Sequence, residues 1–279
     1  MQENDVLKLH GIEHTMLLPL WGRYTESKKR NGLIKDDKCI EIVTKLGLDF
    51  TDIAAQQHPV SRLSWIARAW NLDFELNRLS AAEKEITVVC LGCGLDTAFF
   101  RSTHSHRHWY DIDLPQVIEL RKKLLGNVMH CTMISGSVLD PMSFQNIKIA
   151  GTLVVLALGL LYYFTEAEVK QIFKNIASLT NHAKIIIDYC SEKGVAMANK
   201  MILQNCHGTK MFWFANNETQ LRSLHPHIKV IESYPVFQKI SPLLSEQEAA
   251  VAALSDQQNI NSFAIIEISP NKSSQKRSL

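Results

Sequence analysis

The sequence predicts an α/β fold built on a doubly wound, mostly parallel sheet, and three features carry that expectation. Short runs rich in Val, Ile and Leu alternate with helix-period segments from residue 85 onward. The first run ends in a glycine turn and the second closes on an acid, the pattern of a ligand-binding sheet edge. Residues 1–84 are helical in pattern and form a cover ahead of the sheet. Strands that alternate with helices pair in parallel under covered faces, unlike the strands of a sandwich.

Within 1–84, Asp36 or Asp37 caps a helix whose apolar residues Ile40, Ile42, Val43 and Leu46 precede Gly47, a glycine placed to stop it. Leu63, Ile66, Ala67, Trp70 and Phe74 recur at three- and four-residue steps, which predicts an amphipathic helix over about 61–79 with Pro59 just upstream. Strand one is 85–91, a β-branched run of the kind buried on both faces. Strand two is 107–113 and leads into a helix over 115–125; strands three and four are 129–135 and 152–158. Thr165 and Glu168 make a capping box for a helix over 166–179, and 183–189 is strand five.

Residues 192–228 hold Met197, Met201, Met211, Phe212, Trp213 and Phe214 without a strand period. They predict an inserted helical segment that packs its own core, or lies as a lid over a substrate pocket, since Met and aromatic side chains suit adaptable apolar recognition. The last strands are 229–234 and 261–268, with an Ala-rich helix over 246–254. The expected organisation is one integrated domain: a cover over 1–84, a core over 85–269 with the 192–228 lid, and a polar tail over 270–279.

Composition narrows the function. With 279 residues, 46% hydrophobic, the chain can bury a large core without disulfides or metal staples, and disordered and collagen classes are excluded. Thirty Lys and Arg against 28 Asp and Glu give a net charge of +2 with no dense basic stripe, so no nucleic-acid partner is expected. The longest apolar stretch, 151–164, falls short of the roughly 20 residues a membrane span needs. The opening Met1-Gln2-Glu3-Asn4-Asp5 lacks a basic, then apolar, leader pattern. Six cysteines, at 39, 90, 93, 131, 190 and 206, follow no disulfide framework. The expectation is a cytoplasmic protein with no membrane partner. Cys90 and Cys93 make a C-x-x-C that His104, His106 and His108 could complete as a metal site. The pair lies inside the glycine turn, so no metal is expected, and the histidines read as a solvated turn.

That turn reads Cys90-Leu-Gly92-Cys-Gly94-Leu-Asp96-Thr97. Two glycines between a strand and a helix let main chain approach a ligand where a side chain would collide. Asp113 lies 21 residues beyond Gly92, at the end of strand two, where a carboxylate can accept from both hydroxyls of an adenosine ribose or cap the following helix. Dinucleotide sites share this pairing but continue to a third glycine or an alanine, and rest a pyrophosphate on the helix start. Thr97 stands there instead, with Asp96 beside it, a charge that repels a diphosphate. S-adenosyl-L-methionine has no phosphate and carries a sulfonium and an amino group, so the acid is compatible with it.

These residues are recognisable together. The segment 88–101, VVCLGCGLDTAFFR, followed by WYDIDLP at 109–115, closely resembles the signatures of the methyltransferase family that contains leucine carboxyl methyltransferases and tetracenomycin-type polyketide O-methyltransferases. The segments 16–27 (MLLPLWGRYTES) and 159–165 (GLLYYFT) resemble that family's N-terminal and post-strand-four segments. The resemblance spans about 15–190 and implies a class I, Rossmann-like methyltransferase whose seven-stranded sheet ends in an antiparallel hairpin. It further implies S-adenosyl-L-methionine as cofactor, with Arg68 on the cofactor's carboxylate and Arg23 as a second candidate for that role. Gly92 and Gly94 would meet its methionine part, Asp113 its ribose, and Ser137 and Val138 its adenine.

Two departures from the family matter, one for the cofactor and one for the substrate. Ser137 stands where an acid is common, with Asp140 three residues late, and Leu158 replaces the glutamate of the phosphatase methyltransferases. The first bears on the adenine, whose amino group a hydroxyl can still meet; the second, next to Gly159, leans away from a protein carboxyl substrate and toward a small-molecule acceptor with a hydroxyl, phenol or carboxyl group. Tyr162 and Tyr163 are the candidates for orienting that acceptor. The alternatives are a protein carboxyl methyltransferase, and a non-catalytic protein that binds S-adenosyl-L-methionine as a sensor or partner module.

Overall fold

A computed structural model describes residues 15–102, 107–203, 206 and 208–269. His104, His106 and the 270–279 tail lie outside the described residues; His108 is exposed.

Helices α1 (Leu17–Ser27), α2 (Asp37–Leu46), α3 (Thr51–Gln56) and α4 (Pro59–Ala82) come first. Asp36 caps α2 by accepting the Cys39 N–H, and Gly47 ends it in the left-handed region at φ 63°. Pro59 opens α4. Leu63 and Ala67 pack on Val236, Phe237 and Ile240, while Leu72, Leu76 and Leu79 lie on the sheet. The change of partner along α4 moves its buried face, so Phe74 ends outside the core, stacked on Trp70 at 5.4 Å.

The sheet has seven strands: β1 (Ile86–Leu91), β2 (Arg107–Asp113), β3 (Cys131–Ser135), β4 (Thr152–Ala157), β5 (Ala183–Cys190), β6 (Ile228–Pro235) and β7 (Asn261–Ile268). Their order is β3-β2-β1-β4-β5-β7-β6. The first five are parallel, and β7 runs antiparallel to both β5 and β6. This is the doubly wound sheet that the alternating pattern predicts, with the closing antiparallel hairpin that the family resemblance implies. Helices α5 (Ala98–Arg101), α6 (Pro115–Leu125), α7 (Glu166–Leu179), α8 (Glu192–Met201), α9 (Glu218–Arg222) and α10 (Glu246–Gln257) complete the fold. The capping box of Thr165 and Glu168 starts α7. Val169, Ile172 and Phe173 cover one sheet face, opposite the face that α4 covers.

Several strand limits differ from expectation by one or two residues, and two of the differences have a local cause. The third strand begins only at Cys131, because His130 takes a positive φ of 65° and Met129 is 79% exposed. The fourth stops at Ala157, two residues ahead of Gly159, where φ +67° turns the chain. From β1 the chain winds to one side through β2, and from β4 to the other through β5, so a crevice opens between β1 and β4 at their carboxyl ends.

Candidate active site

A cavity of about 580 Å³ occupies that crevice, within the usual range for a small-molecule site. One half is lined by Gly92, Cys93, Gly94, Asp113, Gly136, Ser137, Val138, Leu158 and Gly159. The other is lined by Leu18, Trp65, Tyr162, Tyr163, Met197, Ala198, Met201 and Met211, from α1, α4, the turn after β4, α8 and the segment after it.

The glycine turn is held from behind. Gly92 N–H donates to Ile112 O at 2.9 Å, and Arg121 Nη1 donates to both Gly94 O and Asp96 O at 2.8 Å. Arg121 is itself paired with the buried Asp111. Gly92 sits at φ +61°, and a Cβ there would come within 2.5 Å of Leu160 Cδ1. At Gly94, with φ +46°, a Cβ would lie 3.2 Å from Met16 Cβ. Side chains at these positions would be strained in the backbone and would fill the approach to the cavity.

Asp113 stands beside the turn. Its Oδ2 accepts the Gly94 N–H and its Oδ1 the Leu114 N–H, each at 2.7 Å. Each oxygen keeps a lone pair for a further donor. Burial pushes the carboxyl up, against the pull of those two N–H groups. Ser137 and Val138 follow β3 on the same side; the Ser137 hydroxyl accepts the Leu139 N–H at 3.2 Å. Asp140 is exposed and caps the short turn at 141–144 by accepting the Met142 N–H at 2.9 Å.

Arg23 lines the cavity, yet all three of its nitrogens have protein partners: Nε with Asp36 at 3.1 Å, Nη2 with Leu95 O at 2.8 Å and Nη1 with Asp96 at 3.3 Å. Asp36, fully buried, also takes Arg101 at 3.0 Å and the Thr97 hydroxyl. Arg101 reaches Asp73 at 2.8 Å, closer than its 3.8 Å to Asp96. Burial raises the Asp96 carboxyl, but Arg101, Arg23 and the Ala98 N–H outweigh it and hold it at about 2. The turn therefore rests on a network of alternating charge whose side chains are buried at Asp36, Arg23 and Arg101 and half-buried at Asp96 and Asp73.

Arg68 is different. Its Nη1 donates to Tyr162 Oη at 3.0 Å and to Asp188 Oδ2 at 3.1 Å, while Nε and Nη2 make no hydrogen bond among the described residues. Tyr163 Oη donates to Thr15 Oγ1 at 3.2 Å. Burial pushes the Tyr162 phenol well up, with Asp188 adding to it, and lifts Tyr163 to about 12. Cys90 and Cys93 are free thiols, both pushed up by burial. Among the described residues no group of three or more His, Cys, Asp or Glu is gathered as for a metal ion.

The geometry suits S-adenosylmethionine: a two-glycine wall that a Cβ would fill, a carboxylate with spare acceptors, and a guanidinium with unused donors. A family model, leucine carboxyl methyltransferase, matches residues 17–177. The chain belongs to the leucine carboxyl methyltransferase family. It is an S-adenosylmethionine-dependent methyltransferase of class I fold. The tetracenomycin polyketide synthesis O-methyltransferase TcmP of Streptomyces glaucescens is 24% identical over 243 residues, 87% of this chain and 88% of that one. Solved structures share the fold at lower identity. A candidate methyltransferase of Thermobifida fusca superposes with a TM-score of 0.62 at 14% identity, over 94% of this chain and 96% of that one. Magnesium protoporphyrin IX methyltransferase of Synechocystis, solved with bound SAH, gives 0.50 at 13% identity, over 84% and 94%. Among the described residues no helix is long and apolar enough to cross a membrane.

The sequence singled out the glycines, Asp113, Arg68 and both tyrosines, and all of them line one cavity. Sequence reading missed Asp188, Arg121 and Trp65. A charge inside the run AKIIIDY of β5 was the available signal for Asp188, since a buried carboxylate needs a partner.

Proposed function

We propose that this enzyme methylates an oxygen of a small, largely apolar molecule that arrives already ionised, a carboxylate or an acidic phenol. The observation that carries the reading is the lining of the second half of the cavity, where Leu18, Trp65, Met197, Met201 and Met211 surround two protonated tyrosines. Adaptable methionines and an indole suit a flat apolar acceptor better than a peptide terminus. The polyketide O-methyltransferase among the relatives points the same way.

The bound cofactor supplies the methyl group on a positively charged sulfur. Arg68 holds its carboxylate, Gly92 and Gly94 its methionine part, Asp113 its ribose, and Ser137 and Val138 its adenine. Arg23, with every nitrogen engaged, braces the turn. Within 192–228, Met197, Ala198, Met201, Leu203 and Met211 close the acceptor half as a lid, whereas Trp213, Leu221 and Leu224 pack into the core of the sheet.

Among the described residues that line the cavity, no side chain is set to remove a proton from the acceptor. Tyr162 and Tyr163 keep theirs. His58, at the cavity, is exposed and its Nδ1 accepts the Val60 N–H at 3.2 Å. Alignment of the acceptor and exclusion of water then make up the protein's share, through near-attack geometry. Mass spectrometry of a panel of aromatic acids, phenols and peptides, incubated with enzyme and S-adenosylmethionine, tests the reading. The expected result is one added CH₂ on aromatic acids or acidic phenols; methylation of peptide C-termini alone overturns it.

A further inference from the structure

We infer that Asp188 is a positioning residue for the methionine end of the cofactor, setting the Arg68 guanidinium so that Nε and Nη2 stay open to a carboxylate. It takes this part only if Arg68 holds that carboxylate, as proposed above.

Asp188 lies near the end of β5, with no exposed surface. Its two oxygens do separate work. Oδ1 accepts the Gly159 N–H at 2.6 Å, and Oδ2 accepts Arg68 Nη1 at 3.1 Å. One carboxylate thus joins the turn after β4 to a guanidinium from α4. Gly159 shows how closely the parts fit: at φ +67°, a Cβ there would lie 2.8 Å from Arg68 Nη1 and 3.1 Å from Cζ. The guanidinium rests against bare backbone. Tyr162 Oη takes a second bond from the same Nη1. Nη1 is fully used, and the donors a carboxylate grips in paired fashion are left over.

A packing role alone does not account for the charge. Ile185, Ile186 and Ile187 precede Asp188 in β5 and are all buried, so an apolar residue would suit the strand. A buried ion pair repays its desolvation poorly compared with apolar packing. Its gain here is orientation: a long, flexible arginine is fixed before the ligand arrives, which lowers the ordering cost of binding.

Isothermal titration of Asp188→Asn with two ligands separates orientation from general damage. SAH carries the amino-acid carboxylate; 5′-methylthioadenosine has the same nucleoside and thioether without it. Asp188→Asn is expected to weaken SAH at least tenfold and leave 5′-methylthioadenosine within twofold. Equal losses for both ligands, or no loss for SAH, overturn the assignment. Gly159→Ala, which displaces the guanidinium from the other side, is expected to repeat the SAH-selective loss and serves if Asp188→Asn does not fold. Arg68→Gln reports on the underlying reading. Should it weaken both ligands alike, the role of Arg68 fails; should it alone discriminate between them, only the role of Asp188 does.

Discussion

Gly94 donates its main-chain N–H to Asp113 Oδ2 at 2.7 Å, so the turn after β1 and the end of β2 are fastened to each other at the cavity wall. The bond makes Asp113 both a brace for the glycine turn and a wall of the cavity proposed for the cofactor. It also explains why the carboxylate stays fixed despite burial that disfavours its charge.

Asp113→Ala is therefore expected to weaken SAH binding by about 1.5–3 kcal/mol, roughly ten- to a hundredfold, as charged hydrogen bonds to the ribose are lost. Titration calorimetry measures this directly. Unchanged affinity would remove Asp113 from the ribose.

Much of this was legible because it is local. The alternation of strand and helix, the caps at Asp36 and Thr165, and the spacing from Gly92 to Asp113 each lie within a short window of chain. What was not legible is pairing across distance. Asp36 reads as a helix cap, yet it also receives Arg23 and Arg101, 13 and 65 residues away. Asp188 finds Arg68 across 120 residues, and Arg121 reaches the glycine turn from α6, 25 residues beyond Asp96. Met129 misled for a local reason: it is apolar and adjoins β3, but His130 turns the chain before the strand begins.

Asp96 gives a pH test. Its folded carboxyl is held at about 2, below the ordinary 3.8. The unfolded chain then binds the proton more readily, so the contribution of Asp96 to stability is complete above about pH 4 and fades as pH falls toward about 2. Urea denaturation across that range should show Asp96→Asn less stable than the parent at pH 6, with the gap closing in acid. A gap that stays constant with pH counts against the ion-pair network.

Met201 lines the acceptor half and is 47% exposed, so a charge there is tolerated by the fold. Met201→Lys should raise KM for apolar acceptors about tenfold, because the ammonium resists desolvation against them. SAH affinity should be unchanged. Steady-state kinetics with calorimetry tells the two halves of the cavity apart, and a fall in SAH affinity of the same size would mean that Met201 borders the cofactor.

The tyrosines offer a test of whether the acceptor arrives without its proton. Burial holds Tyr163 at about 12 and Tyr162 well above its usual value, so neither phenol is ionised in the range where enzymes are assayed. A base drawn from this pair would produce an alkaline limb that vanishes on substitution by Phe. With an acceptor that ionises by itself, kcat/KM instead rises with the acceptor's own ionisation and then stays level. Tyr162→Phe removes one of the two partners of Arg68 Nη1 and should lower kcat/KM about tenfold, leaving the shape of the pH profile intact. Profiles recorded with two acceptors of different acidity complete the test: the rising limb should move with the acceptor and not with the enzyme. A limb fixed in place for both acceptors and lost in Tyr162→Phe or Tyr163→Phe would make that tyrosine the base.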